Sequence, residues 1–338
     1  MKIVLSGYFG FGNAGDEMIH EVLKERLMSG GHIVTSLVKN PEREDEIDRN
    51  NFREIYSTLK RSDILISGGG GLLQDKTSSR SLYYYLWIIR TAQKLHKKTA
   101  ILAQGIGPIN NAINKKIIGR IINKVDLITV RDEVSKEILK ECGVRQDIYV
   151  TGDLGFLYKG YENGFNDRGF VIASFGKHPN PPSFETIMNI LNFVTAATGL
   201  SIYLVPLYPA QDLEISNKIK EVTGFKILTL PYKALPSLFK KSELAIGTRY
   251  HLVVLSISNG IPCITFSYDP KVSSISQEAG ISVLPYNSTL PFEKFKEIFK
   301  REFDMRENKK LYIRTRCKEF ERRATRNFEL LDETLLRY

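Results

Sequence analysis

The stretch 7–17, GYFGFGNAGDE, combines glycines with an amide and two adjacent carboxylates. It lies between an apolar run and an amphipathic pattern, as a loop between a strand and a helix does. Glycines let the backbone turn sharply and approach a ligand closely, and the N–H groups of a helix start suit anions. Asp16 and Glu17, however, would repel a phosphate there. Two interpretations stay open: a tight turn in which Asp16 caps the helix, or a loop that binds hydroxyl groups.

The same stretch fits the dinucleotide-binding pattern GxGxxG only loosely, at residues 10–15. That fold also needs an acidic residue after the second strand to hold a ribose. Here the second predicted strand leads into Lys39, Asn40 and Pro41. We therefore discount a nicotinamide cofactor.

A second glycine run, at 68–71, lies inside the sequence SGGGGLLQD. Four successive glycines cost chain entropy that packing alone seldom requires, so the run favours close approach of a ligand. Gln74 and Asp75 follow and can bond sugar hydroxyls or accept a proton. A third loop, QGIGP at 104–108, follows another predicted strand. The run YYYLW at 83–87 either lines such a site or packs into the core.

Charged side chains mark three further strand ends. After the strand that ends at residue 130, Arg131 and Asp132 either point into a site, or form a surface pair in which Asp132 caps the next helix. In GTRYH at 247–251, Arg249 offers a planar fork for a carboxylate or phosphate. His251, two residues on, can donate a proton near neutral pH. Both can reach one anion at a helix N-terminus.

The segment SYDPKV at 267–272 repeats this arrangement one strand later. Asp269 is the predicted N-cap and Pro270 the first helical residue. Lys271 then places another cation at the same edge of the sheet.

Short β-branched runs alternate with amphipathic stretches, which predicts parallel sheets covered by helices. The predicted strands are 2–6, 33–38, 63–67, 99–103 and 126–130, then 170–175, 201–205, 226–230, 244–247, 262–266 and 281–284. The predicted helices are 16–28, 183–198, 212–222, 235–241, 251–259 and 271–279.

The polar, aperiodic segment 158–168 is predicted to link two domains. The sequence thus indicates an α/β protein with two Rossmann-like domains, 1–160 and 169–310, facing a cleft. A C-terminal helix at 311–338 follows, with one apolar stripe formed by residues 317, 320, 324, 328, 331 and 335.

Composition excludes several classes of protein. The chain has 338 residues, of which 42% are hydrophobic and 25% charged, so it is neither disordered nor collagen-like. Three scattered cysteines are too few for a disulfide framework or a zinc site. They indicate reduced thiols in an intracellular, cytoplasmic protein. No apolar stretch reaches the roughly 18 residues of a membrane span.

The formal net charge is +10, which indicates an anionic partner. Residues 300–326 hold 11 Lys and Arg against 5 Asp and Glu. This segment is either a solvated helix face or a peripheral contact with the anionic inner face of a membrane. No aromatic–basic platform or helix-turn-helix pattern supports nucleic-acid binding.

In this order, the motifs resemble the polysaccharide pyruvyl transferase family, and its bacterial cell-wall branch in particular. The matching segments are 10–17, 67–75, 104–108, 131–132, 247–251 and 267–272. The resemblance implies a GT-B-like fold and transfer of pyruvate from phosphoenolpyruvate onto two hydroxyls of a sugar, which gives a cyclic ketal. No cluster of metal ligands is visible in the sequence, and we expect this chemistry to need neither a metal nor a cofactor. The acceptor implied is a free or lipid-linked N-acetylmannosamine-type sugar of a cell-wall polymer that anchors S-layer proteins.

This function assigns the candidate residues to three roles. The catalytic candidates are His251 as acid, with Asp16 and Asp75 as bases. The donor-binding candidates are Thr248, Arg249, Lys271, Lys177 and His178. The acceptor-binding candidates are Asn13, Gly15, Gly69, Gly70, Gln74, Gln104 and Arg131.

One position departs from the family pattern. Gly176 stands where the family usually has an arginine for the donor, and Lys177 or His178 would have to supply that charge. Lysine is a poorer fork for a carboxylate than arginine. Two alternatives therefore stay open: a nucleotide-sugar-dependent GT-B glycosyltransferase, with Glu278 holding a ribose, and a polysaccharide-binding protein without turnover.

Overall fold

The computed structural model describes residues 1–76, 79–162, 165–178, 180–267 and 269–336. Parts of three predictions lie outside these residues: Asn163 and Gly164 of the predicted linker, Tyr268 of the segment SYDPKV, and 337–338 of the C-terminal helix. The chain divides into two compact units. Unit 1 contains Met1–Tyr158 and Phe320–Tyr338, and unit 2 contains Lys159–Glu319.

Unit 1 is built on a parallel seven-stranded sheet in the order β3-β2-β1-β4-β5-β6-β7. Its strands are β1 (Lys2–Phe9), β2 (Ile33–Val38), β3 (Glu46–Asp48), β4 (Ile64–Gly68), β5 (Lys98–Gln104), β6 (Leu127–Val130) and β7 (Tyr149–Val150). Its helices up to residue 158 are α1 (Ala14–Ser29), α2 (Phe52–Arg61), α3 (Ser79–Lys94), α4 (Ala112–Ile122) and α5 (Glu133–Glu141). β3 and β7 escaped prediction because three and two residues are too short to show a pattern.

Unit 2 repeats the design with six parallel strands in the order β10-β9-β8-β11-β12-β13. They are β8 (Val171–Ser174), β9 (Ile202–Leu204), β10 (Lys226–Ile227), β11 (Leu244–Gly247), β12 (Cys263–Ser267) and β13 (Ser282–Pro285). The helices are α6 (Phe184–Thr198), α7 (Pro209–Thr223), α8 (Leu235–Lys241), α9 (Tyr250–Asn259), α10 (Pro270–Glu278) and α11 (Phe292–Asp304).

Each sheet has a point at which the strand order reverses. In unit 1 it lies between β1 and β4, and in unit 2 between β8 and β11. The strands there are buried on both faces, as the continuous apolar runs at Ile64–Gly68 and Leu244–Gly247 require. Loops that leave the carboxyl ends of such neighbouring strands diverge and open a crevice, which is where ligands bind in open α/β sheets.

The chain ends in helix α12 (Arg306–Leu331), which starts earlier than the predicted residue 311. The apolar stripe is confirmed, because all six of its side chains are buried. From Phe320 onward the helix belongs to unit 1, where Asn327 is fully buried. Its amide donates to the Gly152 carbonyl at 3.0 Å and accepts from the Thr151 hydroxyl at 2.7 Å. None of the helices in the described residues is both long and apolar enough to cross a membrane.

Candidate functional site

In unit 1, the loop after β1 is closed by its own side chains. Asn13, not Asp16, is the N-cap of α1, and its side-chain oxygen accepts from the Gly15 N–H at 3.3 Å. The Glu17 carboxylate accepts from the Gly12 N–H at 3.0 Å. Burial raises the pKa of Glu17, although the backbone N–H groups of Gly10, Gly12 and Phe11 oppose the rise. In dinucleotide-binding loops, backbone N–H groups at this position hold a phosphate. Here the Gly12 N–H donates to the Glu17 carboxylate instead.

The glycine run after β4 lets helix α1 approach the loop backbone. Gly70 has φ +66°, and a Cβ there would lie 2.3 Å from Oδ1 of Asp16. Gly69 has φ +63°, and a Cβ there would lie 2.1 Å from the Ile19 side chain. The loops after β1 and β4 therefore meet at the point where the strand order reverses. Asp16 is 7% exposed, with its carboxylate against the glycine backbone.

Two acceptor candidates need correction because the structure buries them. The Gln104 side chain is fully buried, and its amide donates to the Ser67 carbonyl at 3.0 Å and the Ser67 hydroxyl at 2.7 Å. Arg131 is 9% exposed, forms an ion pair with Asp153 at 2.8 Å and packs against Gly105. Gln104 joins neighbouring strands, and Arg131 supports the loop after β5, so neither presents a polar group to a saccharide.

The pair after β6 follows the capping interpretation. The Asp132 carboxylate accepts from the Ser135 N–H at 2.7 Å and caps α5. The Ser135 hydroxyl in turn accepts from the Ile106 N–H at 2.8 Å. This chain of contacts fixes the backbone of the QGIGP loop.

Asp75 is corrected from catalytic base to loop anchor. Its two oxygens accept from the N–H groups of Asn110 and Asn111 at 2.8 and 3.0 Å, and from the Asn114 amide at 2.9 Å. Desolvation raises the pKa of Asp75, but these three hydrogen bonds outweigh it and hold the pKa below its usual value. A carboxylate so stabilised is a poor proton acceptor. Gln74, half-buried, precedes it in the loop.

Asp75→Asn is therefore expected to lower catalytic turnover less than about 10-fold, whereas loss of a general base costs 10²–10⁴-fold. Because the folded-state pKa is lowered, the carboxylate stabilises the fold above its ordinary pKa of 3.8 and loses that effect as the pH falls below it. The measurement is the thermal unfolding of the wild type and of Asp75→Asn at several pH values from about 3 to about 7, a range that includes the titration of carboxylates. A constant difference in midpoint across that range would contradict the anchoring role.

The aromatic run divides between the two interpretations. Tyr85 is 2% exposed and belongs to the core, whereas Tyr84 and Trp87 are half-buried and Tyr83 is exposed. The buried guanidinium of Arg49 lies 4.3 Å from the ring centroid of Tyr84 and 5.3 Å from that of Tyr85. The sequence around Arg49 did not predict that its guanidinium lies over these rings, because the partners of a cation–π contact come from distant segments.

In unit 2, loops carrying the donor candidates leave neighbouring strands. The loop after β8 holds Gly176, Lys177 and His178, and the loop after β11 holds Thr248 and Arg249. The Thr248 hydroxyl accepts from the Gly176 N–H at 2.9 Å. These loops therefore flank the reversal point of the second sheet.

Arg249 is held by an acid that the sequence analysis did not single out. Its guanidinium forms an ion pair with Asp212, with Nε donating to Oδ1 at 3.0 Å, and its Nη2 also donates to Gln211 at 3.0 Å. Asp212 is fully buried and accepts from the Tyr208 N–H at 2.9 Å. Burial raises the pKa of Asp212, and the charge of Arg249 opposes that rise. Within the described part of the chain, no group accepts a hydrogen bond from Nη1 of Arg249, so that edge of the fork suits an anion.

The departure at Gly176 has a steric explanation. A Cβ at this position would lie 2.5 Å from Nε and 2.6 Å from Cζ of Arg249. The guanidinium thus occupies the space beside the Gly176 backbone where a side chain would begin. Arg249 therefore places a planar cation directly beside the Gly176 backbone.

Lys177 and His178, the two residues after Gly176, line a cavity of about 230 Å³. Lys177 is exposed, and the His178 ring meets the Tyr286 ring edge-on at 5.7 Å between centroids. Gln211, the partner of Arg249, lines the same cavity. The structure therefore brings Lys177 and His178 to the side of the Arg249 cluster.

The remaining donor candidates start two helices. His251 lies half-buried in the first turn of α9, against the ring of Tyr250. Lys271 is 8% exposed in the first turn of α10. The N-cap prediction for Asp269 is confirmed, since its carboxylate accepts from the Lys271 N–H at 3.0 Å. β11 and β12 are neighbours, so both helix starts lie at one edge of the sheet.

The described residues contain no group of three or more His, Cys, Asp or Glu that could hold a metal ion. Cys142, Cys263 and Cys317 are all buried free thiols. Burial raises the pKa of Cys142 to about 11 and that of Cys263 to about 12. These two thiols stay protonated at neutral pH and are unsuited to nucleophilic attack.

Solved structures with the same fold include UDP-N-acetylglucosamine 2-epimerases and a glycosyltransferase. A putative UDP-N-acetylglucosamine 2-epimerase from Listeria monocytogenes has a TM-score of 0.72 at 12% identity, covering 98% of this chain and 96% of its own. A glycosyltransferase from Rickettsia africae has a TM-score of 0.64 at 13% identity, covering 100% and 99%. A Methanocaldococcus jannaschii UDP-GlcNAc 2-epimerase, solved with UDP-GlcNAc and UDP, has a TM-score of 0.60 at 14% identity, covering 90% and 93%. The likeness confirms the predicted GT-B-like class with two parallel-sheet α/β domains.

No curated protein matches the sequence significantly. A family model described as polysaccharide pyruvyl transferase matches residues 13–270. This range runs from the N-cap of α1, at the end of the first glycine loop, to the start of α10. It contains the second glycine loop of unit 1 and the Arg249 cluster of unit 2. The chain belongs to the polysaccharide pyruvyl transferase family.

Proposed function

We propose that this protein transfers pyruvate from phosphoenolpyruvate to two hydroxyls of a cell-wall sugar and so forms a cyclic ketal. The observation that carries the proposal is the Arg249 fork, held by Asp212 at the reversal point of the unit 2 sheet. Phosphoenolpyruvate has a carboxylate and a phosphate. Nη1 of Arg249, the nitrogen of the guanidinium that donates to neither Asp212 nor Gln211, can donate to either group in a charge-assisted hydrogen bond.

Donor binding is assigned to unit 2. Arg249 contacts one anionic group of phosphoenolpyruvate, and the N–H groups at the start of α9 stabilise it further. Lys271 and Lys177 add positive charge, and Thr248 holds the Gly176 backbone in place. Because Asp212 already offsets the charge of Arg249, the two lysines supply the net positive charge that attracts the donor, which carries about three negative charges.

The chemistry needs one acid and one base. His251 gives a proton to the methylene carbon of phosphoenolpyruvate while the first sugar hydroxyl attacks the central carbon and loses its proton. Phosphate then leaves with its bonding electrons, and the second hydroxyl attacks the resulting oxocarbenium carbon and loses its proton. Of the two protons that the hydroxyls lose, one replaces the proton that His251 gave to the methylene carbon, and the other is taken up by the released phosphate. The products are therefore the ketal and inorganic phosphate, and no added reagent is needed.

Acceptor binding is assigned to unit 1, with Asp16 as the base. Of the two proposed carboxylates, Asp16 is retained because it lies against the backbone of Gly70 in the second glycine loop. The hydrogen bonds that Asp75 accepts from Asn110, Asn111 and Asn114 make it a poor base. The backbone around Gly15, Gly69 and Gly70, with the side chains of Asn13 and Gln74, offers donors and acceptors for sugar hydroxyls. An N-acetylmannosamine-type sugar on a lipid-linked precursor is the proposed acceptor.

A nucleotide-sugar-dependent glycosyltransferase is the second candidate, since structures of the same fold carry UDP-sugars. The acid expected to hold a ribose in that case, Glu278, lies at the end of α10 and faces Arg316 at 3.9 Å. A helix that follows a parallel strand starts at the carboxyl edge of the sheet, so the last residue of α10 lies away from the loops that hold the donor candidates. This position favours the pyruvyl donor over the nucleotide sugar.

The test is phosphate release from phosphoenolpyruvate with an N-acetylmannosamine-containing acceptor, together with the mass of the product. We expect phosphate and pyruvylated sugar in equal amounts. Sugar transfer from a UDP-sugar without any phosphate release from phosphoenolpyruvate would establish the second candidate instead.

A further inference from the structure

One continuous stretch has an excess of positive charge equal to the net charge of the whole protein. From Lys76 to Val125 the sequence has ten Lys and Arg and no Asp or Glu. The other 38 basic residues equal in number the 38 acidic residues of the chain. This segment contains helices α3 and α4, neither of which has an acidic residue.

The exposed faces of these helices are both basic and apolar. On α3, Arg80, Tyr83, Trp87, Arg90 and Lys94 recur at helical spacing and are exposed or half-buried. On α4, the exposed side chains on one face are Ile113, Lys116 and Arg120. Ile113 on this face is 64% exposed.

Neighbouring helices extend this face into one surface. Phe52 at the start of α2 is 53% exposed and meets Trp87 edge-on, with 5.0 Å between ring centroids. The Tyr83 hydroxyl donates to Asn114 of α4 at 2.7 Å. We call the surface formed by Phe52, Tyr83, Trp87, Ile113, Lys116 and Arg120 the aromatic–basic face.

The face also adjoins the loops of the candidate acceptor site. A helix that follows a parallel strand starts at the carboxyl edge of the sheet, so Phe52, Tyr83 and Ile113 lie toward the edge of the glycine loops. Asp75, at the end of the second glycine loop, holds the first residues of α4 through the Asn110 and Asn111 N–H groups.

In the basic segment 300–326, several lysines and arginines are ion-paired within the unit to which each belongs. Lys310 lies 2.7 Å from Glu243 and 2.8 Å from Glu307, and Lys309 lies 3.3 Å from Glu302. Arg326 reaches Glu329 at 3.0 Å and Glu333 at 3.1 Å. Acids outside the segment, Glu243, Glu329 and Glu333, therefore offset part of its excess positive charge.

We propose that the aromatic–basic face docks on an anionic lipid bilayer. Lysine and arginine are attracted to anionic headgroups, and tryptophan and tyrosine are enriched at the interface with the acyl region. Exposed aliphatic and aromatic side chains beside a basic helix face are typical of interfacial binding. An exposed isoleucine gains nothing from a phosphate backbone, which favours a bilayer over a nucleic acid. This docking is independent of the reaction proposed above.

The protein contains a single tryptophan, Trp87, so its fluorescence reports on this face alone. The full-length chain is titrated with vesicles of phosphatidylglycerol and phosphatidylcholine, and with vesicles of phosphatidylcholine only. We expect a blue shift and saturable binding on the anionic vesicles, weakened by salt. Lys116→Glu with Arg120→Glu is expected to weaken binding about 30-fold or more, since each basic residue contributes about fivefold.

The matched control is Lys318→Glu with Arg322→Glu, which reverses two exposed charges one helical turn apart on α12. The affinity of this control for anionic vesicles is expected to stay within about twofold of the wild-type affinity. Ile113→Ser is expected to reduce the blue shift. An unchanged tryptophan spectrum on anionic vesicles would overturn the proposal, as would equal losses in both double variants. Tighter binding to duplex DNA than to the vesicles at equal salt, or a dimer that the α4 variant dissociates, would overturn it in favour of those partners.

Discussion

Arg249→Ala is expected to lower kcat/KM for phosphate release from phosphoenolpyruvate by about 10²–10³-fold, the cost of losing one preorganised donor to a developing anion. The structure gives a second consequence, because Asp212 is fully buried and loses its cation. Removing one partner of a buried pair typically destabilises a protein by about 3–5 kcal/mol. Activity and thermal unfolding must therefore be measured together.

The double variant Arg249→Ala with Asp212→Asn separates these effects. Asparagine keeps an acceptor for the Tyr208 N–H but no longer leaves a charge buried. We expect the double variant to unfold closer to the wild-type temperature than Arg249→Ala does, while its turnover stays as low. Arg249→Lys, which keeps the charge and loses the fork, is expected to fall between wild type and alanine. Near-normal turnover in the stabilised double variant would remove Arg249 from donor binding.

Gly70→Ala is expected to destabilise the protein by about 2–4 kcal/mol and to abolish most activity. Alanine is strained in the left-handed backbone conformation of this residue, and its Cβ would also collide with Asp16. The added Cβ would lie 2.3 Å from the Asp16 carboxylate, at a residue with φ +66°. Relief of that collision moves either α1 or the glycine loop. Urea unfolding and the phosphate-release assay measure the two effects.

Gly71→Ala is the matched control in the same loop. A Cβ there has its nearest neighbour, the Gly105 carbonyl oxygen, 3.9 Å away, and its backbone has no positive φ. We expect Gly71→Ala to unfold within about 0.5 kcal/mol of wild type, as surface substitutions usually do. Equal destabilisation by both alanines would mean that the glycine run serves chain flexibility rather than the approach of Asp16.

The predictability of the fold follows from local patterns. Each buried strand and each amphipathic helix shows its hydrophobic pattern within one continuous stretch of sequence. Strands such as 33–38 and 244–247 were therefore predicted with the observed bounds. The apolar stripe of the terminal helix was visible for the same reason. The short strand β7 carries no such pattern, because only its pairing with β6 defines it.

The candidate site was predictable in its loops but not in its partners. Glycine runs and a Thr-Arg-Tyr-His junction are local signals, and both lie at the carboxyl edges of their sheets. The pairing of Arg249 with Asp212 joins residues 37 positions apart, and no pattern around Asp212 marks it as buried. Conversely, Gln104 and Arg131 were attractive as polar residues at strand ends. Burial against Ser67 and Asp153, which sequence does not display, makes them structural.

The central claim is that unit 2 binds phosphoenolpyruvate through Arg249. Calorimetric titration of the full-length protein with phosphoenolpyruvate, and separately with UDP-N-acetylglucosamine, tests it most directly. We predict saturable binding of phosphoenolpyruvate that is lost in the Arg249→Ala, Asp212→Asn double variant, with no binding of the nucleotide sugar. Saturable binding of the nucleotide sugar, with no heat from phosphoenolpyruvate, would contradict it.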